Sequence, residues 1–113
     1  MKAMGLAIHT ESPPLSTDET GTVRVAGTRV TLDSVIGSFN GGSSPEQIAQ
    51  QFPSVSLADV YAAIGYYLRH PDQVNAYLQE RSRQADDLRR QIESDPQTQR
   101  IRESLQARKS AQR

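Results

Sequence analysis

The sequence contains no cysteine, carries no net charge and has no long hydrophobic run. Without cysteine the chain has no disulfide, no thiolate nucleophile and no sulfur-ligated metal, and it suits a reducing compartment. A net charge of zero provides no global field that would attract nucleic acid or an anionic membrane. Residues 1–14 lack the apolar core of a signal peptide, and nothing approaches a membrane span. We therefore expect a cytoplasmic protein.

Charge and apolar residues are unevenly distributed along the 113-residue chain. Residues 1–78 hold four basic and seven acidic side chains, whereas residues 79–113 hold nine basic and six acidic ones. Residues 22–78 contain 26 apolar residues in 57, but residues 79–113 contain only 7 in 35. Only the first of these stretches can bury a core. We predict an N-terminal strand and irregular connection over 1–21, a compact core over 22–78 and a polar, basic helical tail over 79–113.

Two short alternating stretches predict a β ribbon near the N-terminus. Apolar and polar residues alternate from Leu6 to Glu11, and again from Thr22 to Ala26. The intervening residues 12–21 have the proline and glycine content of an irregular connection. A lone hairpin is marginal in water, so the ribbon is expected to lie on helices or on a second copy.

From Leu32 onward the hydrophobic period changes from two to nearly four, which predicts helices. Capping residues and glycine or proline stops delimit a helix from Leu32 to Gly41-Gly42, one from Ser44-Pro45 to Pro53, and a third from Leu57 to about Arg69. A long helix follows over about 72–94, and a polar helical stretch comes after Asp95-Pro96. The fold class is thus mainly α with a short β ribbon, a trihelical helix-turn-helix core and a long C-terminal helix.

No catalytic, cofactor or metal site emerges from the pattern. His9 and His70 lie far apart without ligand spacing, and no serine sits in a nucleophile-elbow motif. Gly27-Thr28-Arg29 lacks the several glycines and the lysine of a phosphate loop, so a structural bend is favoured over a ligand site. Gly41-Gly42-Ser43-Ser44 is explained by a helix stop followed by a capped helix. An enzyme is therefore disfavoured.

The third predicted helix is apolar on nearly all sides. Its inner stripe is expected to comprise Leu57, Val60, Tyr61, Ile64 and Leu68, and alanines, a glycine and tyrosines occupy much of the rest. A helix that is apolar all round is a buried helix, so we expect another chain to cover its second side. The predicted dimer interface comprises Ala58, Ala62, Ala63, Tyr66 and Tyr67.

The tail carries a thin apolar seam. Leu78, Ala85, Leu88 and Ile92 recur at near-heptad spacing, and Ile101 and Leu105 follow in the last stretch. Two interpretations remain open. The tail is either a solvated helix with charge pairs on its faces or a segment that becomes ordered on a partner.

One run of the sequence resembles a widespread bacterial family of unknown function that is described as antitoxin-like. The run is VRVAGTRVTLDSVIGSFNGGSSPEQIAQQFPSVSLADVYAAIGYYLRHPDQVNAYLQER, and the resemblance covers roughly residues 13–81. It implies a homeodomain-like or winged-helix-like trihelical core and a VapB-type antitoxin, often encoded beside a PIN-like, VapC-type ribonuclease. The core would then dimerise and contact operator DNA, while the tail would bind the toxin. The tail residues concerned are Ala85, Leu88, Ile92, Ile101 and Leu105.

The alternative is a helix-turn-helix regulator that binds DNA. The third helix offers no Arg, Lys, Asn or Gln in its first half, where such helices contact base edges. DNA contacts would come instead from Arg24, Arg29, Gln47, Gln50, Gln51, Ser54 and Ser56. Neither reading requires a cofactor, a small-molecule substrate or a membrane.

Overall fold

The computed structural model describes residues 5–111, and the chain divides into one compact unit that ends at Pro71 and another that begins at Asp72. The first unit contains two strands and three helices, which are β1 (Leu15–Thr17), β2 (Val23–Val25), α1 (Leu32–Asn40), α2 (Pro45–Gln51) and α3 (Leu57–Arg69). The remaining helices are α4 (Pro71–Ser94) and α5 (Pro96–Ala111). The prediction of a mainly helical chain with a short antiparallel ribbon is confirmed.

The ribbon is antiparallel, but its first strand is not where the alternation placed it. Leu15 pairs with Val25 and Thr17 with Val23, so β1 lies inside the predicted irregular connection. The strand predicted from Leu6 to Glu11 is wrong, because residues 5–13 have no regular secondary structure. Leu6 and Ile8 are both 87% exposed. The alternation of apolar and polar residues does not show whether a second strand lies beside the first. The turn at Asp18, by contrast, places β1 directly against β2.

Asp18 organises the turn between the two strands. Its carboxylate accepts hydrogen bonds from the Thr20 hydroxyl (2.6 Å), from the backbone N–H groups of Thr20 (2.8 Å) and Thr22 (3.1 Å), and from Nε of Arg24 (3.0 Å). These hydrogen bonds lower the pKa of Asp18 to about 2, and the bond from the Thr20 hydroxyl contributes most. The charged carboxylate therefore stabilises the ribbon.

Replacing Asp18 by asparagine is expected to lower the melting temperature at pH 7. Because the folded pKa lies below the unfolded one, the stabilisation is complete above about pH 4 and is lost as the pH falls towards 2. The difference in Tm between wild type and Asp18→Asn should therefore shrink over that range, as thermal melts by circular dichroism would show. Glu19→Gln, an exposed change in the same turn, is the control. A difference that stays constant from pH 7 to pH 2 would contradict this role.

The helix starts follow from local capping, as predicted. The Thr31 hydroxyl accepts from the N–H of Ser34 at α1, and the Ser56 hydroxyl accepts from the N–H of Asp59 at α3. At α2 a full capping box forms, in which Ser44 and Gln47 exchange side-chain to backbone bonds. These bonds satisfy N–H groups that have no partner within the helix.

The core of the first unit lies where α1, α2 and α3 meet, with β2 against α1. Each element contributes branched aliphatic side chains at helical or alternating spacing. The fully buried large side chains are Val25, Leu32, Val35, Ile36, Ile48, Val55 and Val60. The predicted stop after α1 is also confirmed, since Gly42 adopts a φ of +102°, which favours glycine.

The second unit is almost entirely exposed helix. Arg83 of α4 pairs with Glu80 and with Asp87 (3.2 Å), and Arg89 pairs with Asp86 (3.7 Å), so the charges of this helix are largely matched along its own surface. α4 runs without a break through the predicted boundary between residues 78 and 79. In the described part of the chain, no helix combines the length and hydrophobicity that crossing a membrane requires.

Candidate protein-interaction site

Helix α3 has one face in the core and one that the rest of the first unit covers only in part. Val60, Ala63 and Ile64 are buried on the inner side. Ala58, Ala62, Gly65 and Arg69, at spacings of four, three and four, share the opposite side. Together with their neighbours they line a groove of about 630 Å³, whose second wall is formed by residues 11–14. We call the groove-lining residues of this helix, Ala58, Asp59, Tyr61, Ala62, Gly65, Tyr66 and Arg69, the outer face of α3.

The structure brings three of the five predicted dimer-interface residues together. Ala58, Ala62 and Tyr66 lie on the outer face of α3. Ala63 is a correction, because it is completely buried inside the subunit and offers no surface to a second chain. Tyr67 is half-buried and packs edge-on against Phe39 of α1, with ring centroids 6.4 Å apart, so part of its ring is used within the subunit.

Three residues predicted for the inner stripe of α3 are instead exposed. Leu57 is 42%, Tyr61 50% and Leu68 62% accessible. Within the first unit, α1 and α2 pack against α3 and bury only a narrow stripe, which leaves these side chains at its border. Their apolar character was visible in the sequence, but their exposure depends on how much of the helix its neighbours cover. They extend the apolar surface beside the outer face.

The two ends of the outer face carry opposite charges. Asp59 lies in the first turn and Arg69 in the last. Near the acidic end, the Tyr61 hydroxyl donates a hydrogen bond to the carboxylate of Glu46 on α2. That bond lowers the pKa of Glu46 and raises the pKa of Tyr61, so Tyr61 is held as a neutral donor beside a carboxylate. At the other end, the Tyr66 ring contacts the His70 ring, with centroids 4.6 Å apart.

The tail residues predicted to bind a toxin are all exposed, namely Ala85, Leu88, Ile92, Ile101 and Leu105. Leu88 and Ile92 are four residues apart on α4, and Ile101 and Leu105 are four apart on α5, so each pair shares a helix face. Neither pair is buried within the described residues. Each helix thus presents a small apolar strip to its surroundings.

Several residues of the DNA-binding alternative already have structural roles. Arg24, Arg29 and Ser54 line a common depression at the Gly27-Thr28 corner. Arg24 is already engaged, because it pairs with Asp18 and donates to the carbonyl of Arg29 (3.1 Å). On α2 and at the start of α3, Gln47 and Ser56 serve as caps, which leaves Arg29, Gln50, Gln51 and Ser54 with no such role.

The Gly27-Thr28-Arg29 corner is a tight turn, as the bend interpretation predicts. Ala26 and Gly27 both have positive φ angles, of +54° and +65°. The Thr28 hydroxyl donates to the carbonyl of Val25 (2.7 Å) and accepts from the N–H of Val30 (3.1 Å). The threonine therefore closes the turn that leads from β2 towards α1.

Residues 20–67 match the family model described as "Protein of unknown function (DUF433)". The match supports a domain of this family over β2, α1, α2 and most of α3. A search of curated proteins found no match to the chain, and neither did a search of solved structures. Among residues 5–111, no group of three or more histidine, aspartate or glutamate side chains is placed to hold a metal ion.

Proposed function

We propose that this protein is a non-enzymatic, antitoxin-like interaction module. In this proposal it forms a homodimer through the outer face of α3, and its C-terminal helices bind a PIN-like ribonuclease toxin. The observation that carries the proposal is the exposure of organised apolar surface in two places, on α3 and on the α4–α5 tail. Contiguous exposed apolar surface is typical of protein interaction sites.

The arrangement of the first unit supports a helix-turn-helix reading. α2 and α3 are joined by the short connection of residues 52–56, both contact α1, and a β ribbon precedes the three helices. This order is compatible with a homeodomain-like or winged-helix-like core and with the VapB-type assignment. The first two turns of α3 contain no basic residue, which favours contact of this helix with a protein over contact with DNA bases.

The charge of the tail favours an acidic partner surface. α5 carries Arg100, Arg102, Arg108 and Lys109 against the single acid Glu103. Arg102 pairs with Glu93 (3.8 Å), but within residues 5–111 no carboxylate pairs with the other three cations. Ile101 and Leu105 lie between Arg100 and Arg108 on one face of the helix. A partner groove with an apolar floor and an acidic rim would complement this face.

The proposal is tested by co-expression with a PIN-like ribonuclease encoded beside the gene. We expect the two proteins to co-purify, and we expect Ile101→Asp combined with Leu105→Asp to abolish the complex, because it places charge in the apolar strip. Gln99→Asp with Gln106→Asp adds the same charge to the opposite face of α5 and should leave the complex intact. Failure of the wild type to co-purify, or equal loss in both double variants, would refute toxin binding by the tail.

A DNA-binding role is the second candidate, and one observation favours it. Arg24, Arg29 and Ser54 share the depression at the Gly27-Thr28 corner, where a phosphate could be contacted. Residues 1–78, however, have three more acidic than basic side chains. Retardation of the gene's own promoter DNA at low salt, weakened by added salt and by Arg29→Ala, would support this candidate. If the protein does not retard this DNA, the DNA-binding candidate is ruled out.

A further inference from the structure

The outer face of α3 is complementary to itself, and we propose that two copies pair through it with their α3 helices antiparallel. In the proposed register, Ala62 of each copy faces Gly65 of the other across a twofold axis. This inference rests on the proposed homodimer. It specifies that a second copy of the chain covers the outer face of α3, and it gives the orientation and register of the two helices. Three features of the helix support it.

The first feature is a helix centre that permits close approach. Ala58, Ala62 and Gly65 present no side chain longer than a methyl group along one side of α3. Gly65 sits in the middle of the helix, where glycine is among the poorest residues for stability. Nothing in the subunit explains it, since a Cβ atom added there would meet nothing within 4 Å and its φ is not positive. The backbone of a second helix passing over Gly65 would explain it.

The second feature is the charge at the two ends. Asp59 begins the outer face of α3 and Arg69 ends it. With Ala62 opposite Gly65, an antiparallel partner brings Arg69 of the second copy to Asp59, and the twofold axis repeats this pair at the other end. Parallel pairing would place Asp59 beside Asp59 and Arg69 beside Arg69. The charges therefore favour the antiparallel orientation.

The third feature is the exposed apolar border. Tyr61 and Leu68 are seven residues apart, so they lie on the same flank of α3. A twofold axis perpendicular to both helices brings equivalent flanks together, and in this register Tyr61 of one copy meets Leu68 of the other. Both side chains, 50% and 62% exposed in the single subunit, would be covered. The hydrogen bond to Glu46 already holds Tyr61 in place for this contact.

Cysteine cross-linking tests the register directly, because the chain has no cysteine of its own. A tagged Ala58→Cys protein is mixed with an untagged Arg69→Cys protein and oxidised, because these two positions of the outer face of α3 lie opposite each other in the proposed register. We expect the mixed disulfide to form faster than either homodisulfide. Gln50→Cys, on the exposed surface of α2, should cross-link no faster than random collision allows. Faster homodisulfides would indicate parallel pairing and overturn the proposal.

Charge reversal tests the orientation independently. Asp59→Arg should raise the dimer dissociation constant at least about tenfold, since it sets two like charges together at each end. Adding Arg69→Asp should restore the constant to within about threefold of wild type, as measured by sedimentation equilibrium. Glu19→Arg, the same charge change away from α3, is the control. A dimer that neither cross-links nor responds to Asp59→Arg would overturn this geometry but keep self-association, whereas a monomeric wild type would overturn both.

Discussion

Ile36→Ala is expected to lower the free energy of unfolding by about 3 kcal/mol, within the range of about 2 to 5 kcal/mol typical of such cavities. Ile36 is completely buried in α1, the helix that contacts β2, α2 and α3. Truncation removes apolar contacts and leaves a void that the surrounding elements cannot fill. A domain of this size has a total stability of only several kcal/mol, so the variant should be partly unfolded at 37 °C. Urea denaturation followed by circular dichroism measures the effect.

The matched control for this prediction is Leu57→Ala in the same unit. Leu57 is 42% exposed, so its truncation creates no closed cavity and should cost less than about 1 kcal/mol. Equal losses for the two variants would contradict the placement of the core at the meeting of the three helices. The second unit offers no comparable site, because Val74 is its one buried residue among those described.

Ala62→Arg is expected to convert the dimer into a monomer, with the dissociation constant rising at least about a hundredfold. The substitution places a long side chain at the centre of the outer face of α3, where close helix contact leaves no space for it. Because Ala62 lies on the groove side of the helix, the fold of the single subunit should tolerate the change. Light scattering coupled to size exclusion, at about 20 µM and again after tenfold dilution, measures the mass.

Gln50→Arg introduces the same side chain on the exposed surface of α2 and should leave the mass unchanged. Thermal melts of both variants separate loss of pairing from loss of folding. A dimer that persists in Ala62→Arg would show that self-association uses a different surface. The tail would then be the next surface to test, through the exposed pairs Leu88–Ile92 and Ile101–Leu105.

The first unit shows which structural features can be predicted from neighbouring residues alone. The caps at Thr31, Ser44 and Ser56 follow from sequence alone, because a hydroxyl at a helix start satisfies nearby N–H groups whatever the surroundings. The predicted start of α3 at Leu57 agrees with the structure for the same reason, and its predicted end near Arg69 agrees because Pro71 follows closely. The prediction of a strand at residues 6–11 is wrong, because a strand needs a second strand at hydrogen-bonding distance. The alternation of apolar and polar residues does not reveal whether one is present.

The candidate site was only partly predictable. The sequence identified α3 as a helix with apolar residues on both sides, but it could not assign each residue to a side. Val60 and Ile64 are buried, as the predicted inner stripe requires. Ala63, expected on the open side, is buried as well, whereas Leu57, Tyr61 and Leu68, expected in the inner stripe, are exposed. The hydrogen bond between Tyr61 and Glu46 joins residues fifteen positions apart on different helices, so no local sequence pattern indicates it. The bipolar charge of the outer face became visible only once its members were known.

The sequence by itself determined the secondary structure of this protein after residue 21, the bend at Gly27 and the contrast between an apolar core and a polar tail, because each depends on neighbours within a few residues. The tertiary structure alone decided which strand pairs with β2 and which side of α3 remains open. Those outcomes depend on where distant elements meet and on how much surface they cover, which local preferences do not contain.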